Sequence, residues 1–163
     1  MMGGNWNRIL FVDLDTGDIS VEEPGEQLYH DFLGGYGLGA RIIYSRQKPG
    51  VDPLGPDNTL GFTTGVLIGT GAVGATRFTV CGKSPLTGTW GDANSGGYLA
   101  AALKKAGFDA VFFTGASEEP VYLTIEDGEA ALRDASHLWG RDTFETEAAL
   151  KGCVGRRQGR GET

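Results

Sequence analysis

Glycine constrains this chain more than any other residue: 28 of its 163 residues have no side chain. The glycines do not recur at a fixed period, which excludes a collagen-type helix. They cluster at 34–39, 65–74, 82–97 and 152–161. Such clusters belong to tight turns, or to backbone that must approach something closely. The chain therefore folds as short elements joined by many turns, and it is long enough to bury a core without disulfides or a structural metal. With 40% hydrophobic and 21% charged residues it reads as a globular domain, not a disordered one.

Between the glycine clusters the pattern is one of short strands and short helices. Residues 8–14 and 19–21 read as a hairpin around the turn Asp15–Asp18. Helices are expected at 26–33, with Leu28, Phe32 and Leu33 on one face, and at about 37–46, with Leu38, Ile42 and Ile43 inward. Gly34-Gly35 reads as the stop of the first helix. Three prolines in 49–58 mark an ordered loop. Strands are expected at 59–64 and 76–82, then a long polar loop at 83–95. The clearest helix is 97–106, where Tyr98, Leu99, Ala102, Leu103 and Ala106 share a face and Lys104 and Lys105 occupy the last turn. Strands at 109–114 and 120–126, a turn at Asp127-Gly128, a return at 129–133 and a helix at about 142–150 complete the order. Tyr98, Phe108, Phe112 and Phe113 are expected in the core, and Trp139 packed at a corner. Strands and helices do not alternate strictly, so the fold class is α+β, with mixed or antiparallel sheets, hairpins and a few helices. A hairpin followed by a helix occurs twice, which suggests an internal duplication.

Charge and cysteine content exclude several functions. The net charge of −7 argues against non-specific nucleic-acid binding. No apolar run approaches the length of a membrane span, and residues 1–8 lack the pattern of a signal peptide. A cytoplasmic protein is the expectation. The two cysteines, Cys81 and Cys153, lie far apart and are too few to hold an iron–sulfur cluster. His30 and His137 have no partners at metal-binding spacing.

Two nucleotide-like strings fail on context. Gly69–Gly74 matches GxGxxG, but it leads into the strand-like run Arg77–Val80 and not into a helix. Gly82-Lys83-Ser84 ends like a phosphate loop, but Arg77 stands where the first glycine belongs and Pro85 interrupts a helix start. The stretch Asn94-Ser95-Gly96-Gly97, before the clearest helix, is more informative. Asn and Ser cap helices, and free N–H groups at a helix start favour anions. Glycines there either allow close packing or let a bulky anionic group approach, and residue chemistry leaves both readings open. Arg77 is either a solvated strand residue or a donor fork to an anion.

The residues also resemble a known family. Arg77-Phe78 followed by Lys83-Ser84-Pro85-Leu86-Thr87-Gly88 is similar to a signature of aldehyde:ferredoxin oxidoreductases. So are Ala93–Tyr98 and the run Leu103–Asp109 after it, and so are Asp52–Asn58, Pro120–Leu123 and Asp134–Gly140. They occur in the family's order. The resemblance implies the N-terminal domain of a tungsten or molybdenum bis-pterin enzyme, a base on which the pterins sit. Such an enzyme would oxidise aldehydes to carboxylic acids and pass electrons through a [4Fe–4S] cluster to ferredoxin. By resemblance, Arg77 lies between pterin and cluster, and Asn94 offers its backbone carbonyl to a magnesium ion bridging the pterin phosphates. Ser95, Gly96 and Gly97 supply close backbone contacts. The cluster ligands of the family are not in this chain, so the chain alone is expected to be inactive, as a truncated pterin- or phosphate-binding module or a remnant. Homo-oligomer formation stays open. The resemblance ends near Leu150, giving an expected domain of 1–150. Residues 151–163 invert the charge, from a net −10 before them to +3 within them. They are expected to be a disordered, frameshifted or truncated tail.

Overall fold

The computed structural model describes residues 4–158, and side chains through residue 152. Its elements are β1 (Ile9–Asp13), β2 (Ile19–Glu22), α1 (Glu26–Phe32), α2 (Gly35–Arg46), β3 (Leu60–Thr64), β4 (Phe78–Lys83), β5 (Trp90–Ser95), α3 (Leu99–Lys105), β6 (Ala110–Thr114), β7 (Val121–Glu126), β8 (Glu129–Asp134) and α4 (Thr143–Gln158). Six strands form one mixed sheet in the order β2-β1-β6-β3-β4-β5, and β7 and β8 pair only with each other. β1 and β6 run parallel, while the other neighbours are antiparallel. This is an α+β fold. The two hairpins are not equivalent in it: β1–β2 belongs to the large sheet, and β7–β8 forms a small one.

The large sheet is covered on both faces. Successive side chains of a strand point to opposite sides, so β1 sends Ile9 and Phe11 one way and Leu10 and Val12 the other. β6 does the same with Ala110 and Phe112 against Val111 and Phe113. One face packs on α1 and α2 through Tyr29, Leu38, Ile42 and Ile43. The other packs on Leu103 of α3, on Phe108 and on the β7–β8 hairpin through Leu123, Ile125, Ala130 and Leu132. Continuous apolar runs in β1 and β6 follow from this double burial. The turn Asp127-Gly128 has both residues at positive φ, 50° and 84°, as a tight two-residue hairpin requires.

Several expectations need correction. The 83–95 segment is not all loop, because Trp90–Ser95 forms β5, the edge strand beside β4. Its residues are exposed apart from the partly buried Gly91, so no apolar alternation marks it. α3 begins at Leu99, with Tyr98 in the cap position and no side-chain cap. Asn94 and Ser95 are strand residues, not caps. The buried face of α3 is Ala100, Leu103 and Lys104, while Tyr98 is 93% exposed. Neither Tyr98 nor Trp139 is packed inside. In α1 the buried residue is Tyr29, and Leu33 turns outward. α4 continues through residue 158, across the first part of the tail expected to lack order; residues 159–163 lie outside the described residues.

Candidate functional site

Antiparallel pairing of β4 with β5 sets Phe78 opposite Ser95 and Thr79 opposite Asn94. Arg77 immediately precedes β4. This register brings Arg77 and Asn94 together although 17 positions separate them, and Arg77 Nη1 donates to Asn94 Oδ1 at 3.0 Å. The Asn94 amide nitrogen reaches the buried Thr79 hydroxyl at 3.5 Å. Gly96 lies next to Thr76: a Cβ added there would stand 3.6 Å from Thr76 Oγ1, an ordinary contact. Gly97 has φ +99° with open space beside it, so its backbone conformation, not crowding, favours glycine. Arg77 and Asn94 to Gly97 are all exposed and occupy one rim of the sheet.

Arg77, Thr79 and Asn94 line a cavity of about 510 Å³. Its other walls are the start of α2, with Gly34, Gly35 and Gly37, and the glycine-rich segment after β3, with Gly65, Val66 and Gly74. Ser95, Gly96 and Gly97 lie just beyond this wall. The start of α2 is the feature that the sequence reading missed. Gly34-Gly35 does not merely stop α1; it opens the twelve-residue α2, and no side chain caps that end. Its first N–H groups and the Arg77 guanidinium put positive charge at the edge of a cavity otherwise lined largely by apolar groups, among them Phe32, Leu33 and Leu67. Gly34 is required there, because a Cβ would fall 2.5 Å from the Thr64 carbonyl oxygen, and its φ is +149°. The signal was present as the 34–39 glycine cluster, but a glycine pair that ends one helix and starts the next looks like a simple stop. The Gly69–Gly74 string occupies the segment between β3 and β4 and opens no helix.

Metal-binding side chains do not gather at this cavity. Among the described residues no group of three or more His, Cys, Asp or Glu side chains could hold a metal ion. Cys81 is buried under α2, its Sγ 3.7 Å from the Gly61 carbonyl. Burial, and then the Asp92 charge, push its thiol up to about 12. Among the described residues no helix is long and apolar enough to cross a membrane.

A family model, "Aldehyde ferredoxin oxidoreductase, N-terminal domain", matches residues 9–160. The chain belongs to the aldehyde ferredoxin oxidoreductase family. The match covers the whole sheet, the rim with Arg77 and Asn94, and α4 to its described end. A tungsten-containing aldehyde ferredoxin oxidoreductase of Thermococcus kodakarensis is 50% identical over 94% of this chain and 26% of its own length. Its counterpart from Pyrococcus furiosus is 48% identical over the same shares. The WOR-like subunit of an aliphatic sulfonate oxidoreductase from Pyrococcus furiosus is 34% identical over 88% of this chain and 23% of its own. Among solved structures, the active-site complex BamBC of benzoyl coenzyme A reductase, with 1,5-dienoyl-CoA, superposes with a TM-score of 0.91 at 37% identity. That likeness covers 95% of this chain and 24% of the other. The chain thus spans about a quarter of the length of the curated relatives it matches.

Proposed function

We propose that this aldehyde ferredoxin oxidoreductase domain is one side of the binding site for a tungsten (or molybdenum) bis-pterin cofactor, in a longer enzyme that oxidises aldehydes to carboxylic acids. The observation that carries the reading is the Arg77–Asn94 pair on the rim of a glycine-lined cavity. The residues fit such a group. A planar guanidinium with free donors suits a phosphate or another anion. Walls of glycine leave backbone N–H groups open to a flat, bulky ring system. Among the described residues no cluster of His, Cys, Asp or Glu side chains competes for the metal, so this domain's part would be to hold the organic portion of the group.

In this reading Arg77 supplies positive charge beside the pterin. The Asn94 backbone carbonyl is the magnesium ligand, and Ser95, Gly96 and Gly97 make backbone contacts. The hydrogen bond from Arg77 keeps the Asn94 side chain turned along the rim. The cofactor, when bound, would supply the two-electron exchange with the aldehyde. A [4Fe–4S] cluster, a ferredoxin acceptor, assembly of several copies and a cytoplasmic setting are part of the same proposal for the longer protein. The relatives' names support a cofactor role over a substrate role: they specify an aldehyde, an aliphatic sulfonate and benzoyl coenzyme A. One domain shared beneath such different substrates fits what the enzymes have in common.

The test is an anaerobic titration of ¹⁵N-labelled chain with tungsten pterin cofactor released from a tungsten enzyme, in the presence of magnesium. Amide shifts should concentrate at Gly34–Gly37, Arg77 and Asn94–Gly97. Saturating cofactor that leaves those amides unmoved would end the proposal.

A further inference from the structure

Behind the cavity, and not among the residues that line it, lies an almost completely buried ion pair. Lys104 of α3 and Asp109, just before β6, are each 1% exposed. The Lys104 ammonium pairs with Asp109 and also donates to the Gly4 carbonyl at 2.8 Å and to Asn5 Oδ1 at 3.3 Å. All three of its donors are thereby used. The Asp109 carboxylate accepts from the backbone N–H of Trp6 at 3.0 Å and of Arg8 at 3.3 Å. The Trp6 indole closes the circuit by donating to the Lys104 carbonyl at 2.6 Å. The pair ties the N-terminal arm, α3 and β6 to one point.

That point also supports the 65–74 segment. Thr64, the last residue of β3, donates its N–H at 3.0 Å and its hydroxyl at 2.7 Å to the Asp109 carbonyl. A Cβ on Gly69 would sit 3.3 Å from Lys104 Cβ, and one on Gly4 would strike the Val66 carbonyl oxygen at 2.0 Å. The back of the segment therefore rests on the lysine stem and on the arm, while Gly65, Val66 and Gly74 face the cavity. Within the segment the backbone bonds are local turns, such as Ile68 N–H to Gly65 O at 3.2 Å. It lies outside the sheet pairing, so its position depends on what stands behind it.

We infer that Lys104 is a positioning residue: together with Asp109 and Trp6 it fixes the 65–74 wall of the cavity, and so the shape that the cofactor meets. This rests on the reading of the cavity as a cofactor face. A buried ion pair adds little stability over apolar residues of equal volume, because both charges must leave water. It does impose direction. An apolar pair would fill the space without tying the N-terminal arm, through Gly4, Asn5 and Trp6, to α3 and the start of β6.

Hydrogen exchange on the full 163-residue chain tests this, with Lys104→Met and the milder Trp6→Phe, which removes the indole bond and part of the ring but keeps the backbone bond of residue 6 to Asp109. Amides of 65–74 should exchange about fivefold faster in Trp6→Phe, the loss of one hydrogen bond, and faster still in Lys104→Met. Amides in the centre of β1 and β6 should keep wild-type rates. In parallel, both variants should bind magnesium pyrophosphate more weakly than wild type. A rise spread evenly over the whole sheet would make the pair a general stabiliser and overturn the inference, as would unchanged exchange at 65–74. If Lys104→Met does not fold, Trp6→Phe alone decides. Wild-type chain that ignores pyrophosphate while the variants still loosen 65–74 would count against the cofactor reading and leave the positioning role standing.

Discussion

The centre of the large sheet and its β5 edge are built on different terms. β1 and β6 lie side by side with residues buried on both faces, and Phe11 stacks on Phe112 at 5.6 Å between ring centres. β5 has no buried residue and holds its place through main-chain pairing with β4. The centre carries stability, so its side chains are fixed by packing. The edge carries little apolar burial, so its side chains and glycines are free to face a ligand. The Arg77–Asn94 rim of the candidate site stands at that edge, where side-chain changes are expected to cost the fold little.

The largest test breaks the centre. Phe112→Ala removes a ring that is 1% exposed and should cost about 3–5 kcal/mol, read as a lower denaturation midpoint. A loss below 1 kcal/mol would mean that the stacked pair does not organise the sheet. The Cys81 thiol probes the same region without mutation. With its ionisation pushed up to about 12, its thiolate is depleted on the order of a thousandfold at neutral pH. Iodoacetamide should leave Cys81 unmodified in folded protein and label it after denaturation, as peptide mapping would show. Rapid labelling of the folded chain would contradict the packing of α2 on β4.

The edge should answer in the opposite way. Arg77→Ala should weaken magnesium pyrophosphate binding about tenfold, one lost charge-assisted contact, while the midpoint of unfolding stays in place. Gly96→Val places its Cβ in ordinary contact with Thr76, with no clash. It should change stability by less than about 0.5 kcal/mol and still obstruct cofactor binding. A severe folding defect in Gly96→Val would erase the contrast between edge and centre. The smallest effect belongs to Asp134, fully exposed at the end of β8. Hydrogen bonds from Ser136, the hydroxyl's first, hold its carboxyl below the usual range. A lowered folded-state value gives stability that is present above the ordinary aspartate range and is lost as pH falls through the folded value. Ser136→Ala should therefore differ from wild type slightly at neutral pH and not at all in strong acid. A pH-stability curve gives the comparison.

Legibility in the sequence followed the same division. The central strands were readable because double burial writes an apolar run into them, and α2 because Leu38, Ile42 and Ile43 recur at helical spacing and are buried. Strand β5 was invisible because its Trp-Gly-Asp-Ala-Asn-Ser run buries nothing, and pairing through backbone atoms leaves no residue pattern. Asn94 and Ser95 consequently resemble helix-start residues although they stand in a strand. Lys104 misled for a related reason. A lysine in the last turn of a helix normally reaches water, and only the distant Asp109 and the N-terminal arm turn it inward.

By itself the sequence determined the α+β class, most element positions, the family, and Arg77 and Asn94 as residues worth testing. Those follow from local propensity, periodicity and ordered motifs, all of which act over a few residues. The tertiary structure decided what depends on distant segments meeting. It set the β4–β5 register that joins Arg77 to Asn94, made Gly34-Gly35 the mouth of a cavity, and buried Lys104 behind its wall. Each depends on segments far apart in sequence coming together: a polar, glycine-containing edge strand has no apolar pattern to announce its register, and close packing is a matter of three-dimensional shape.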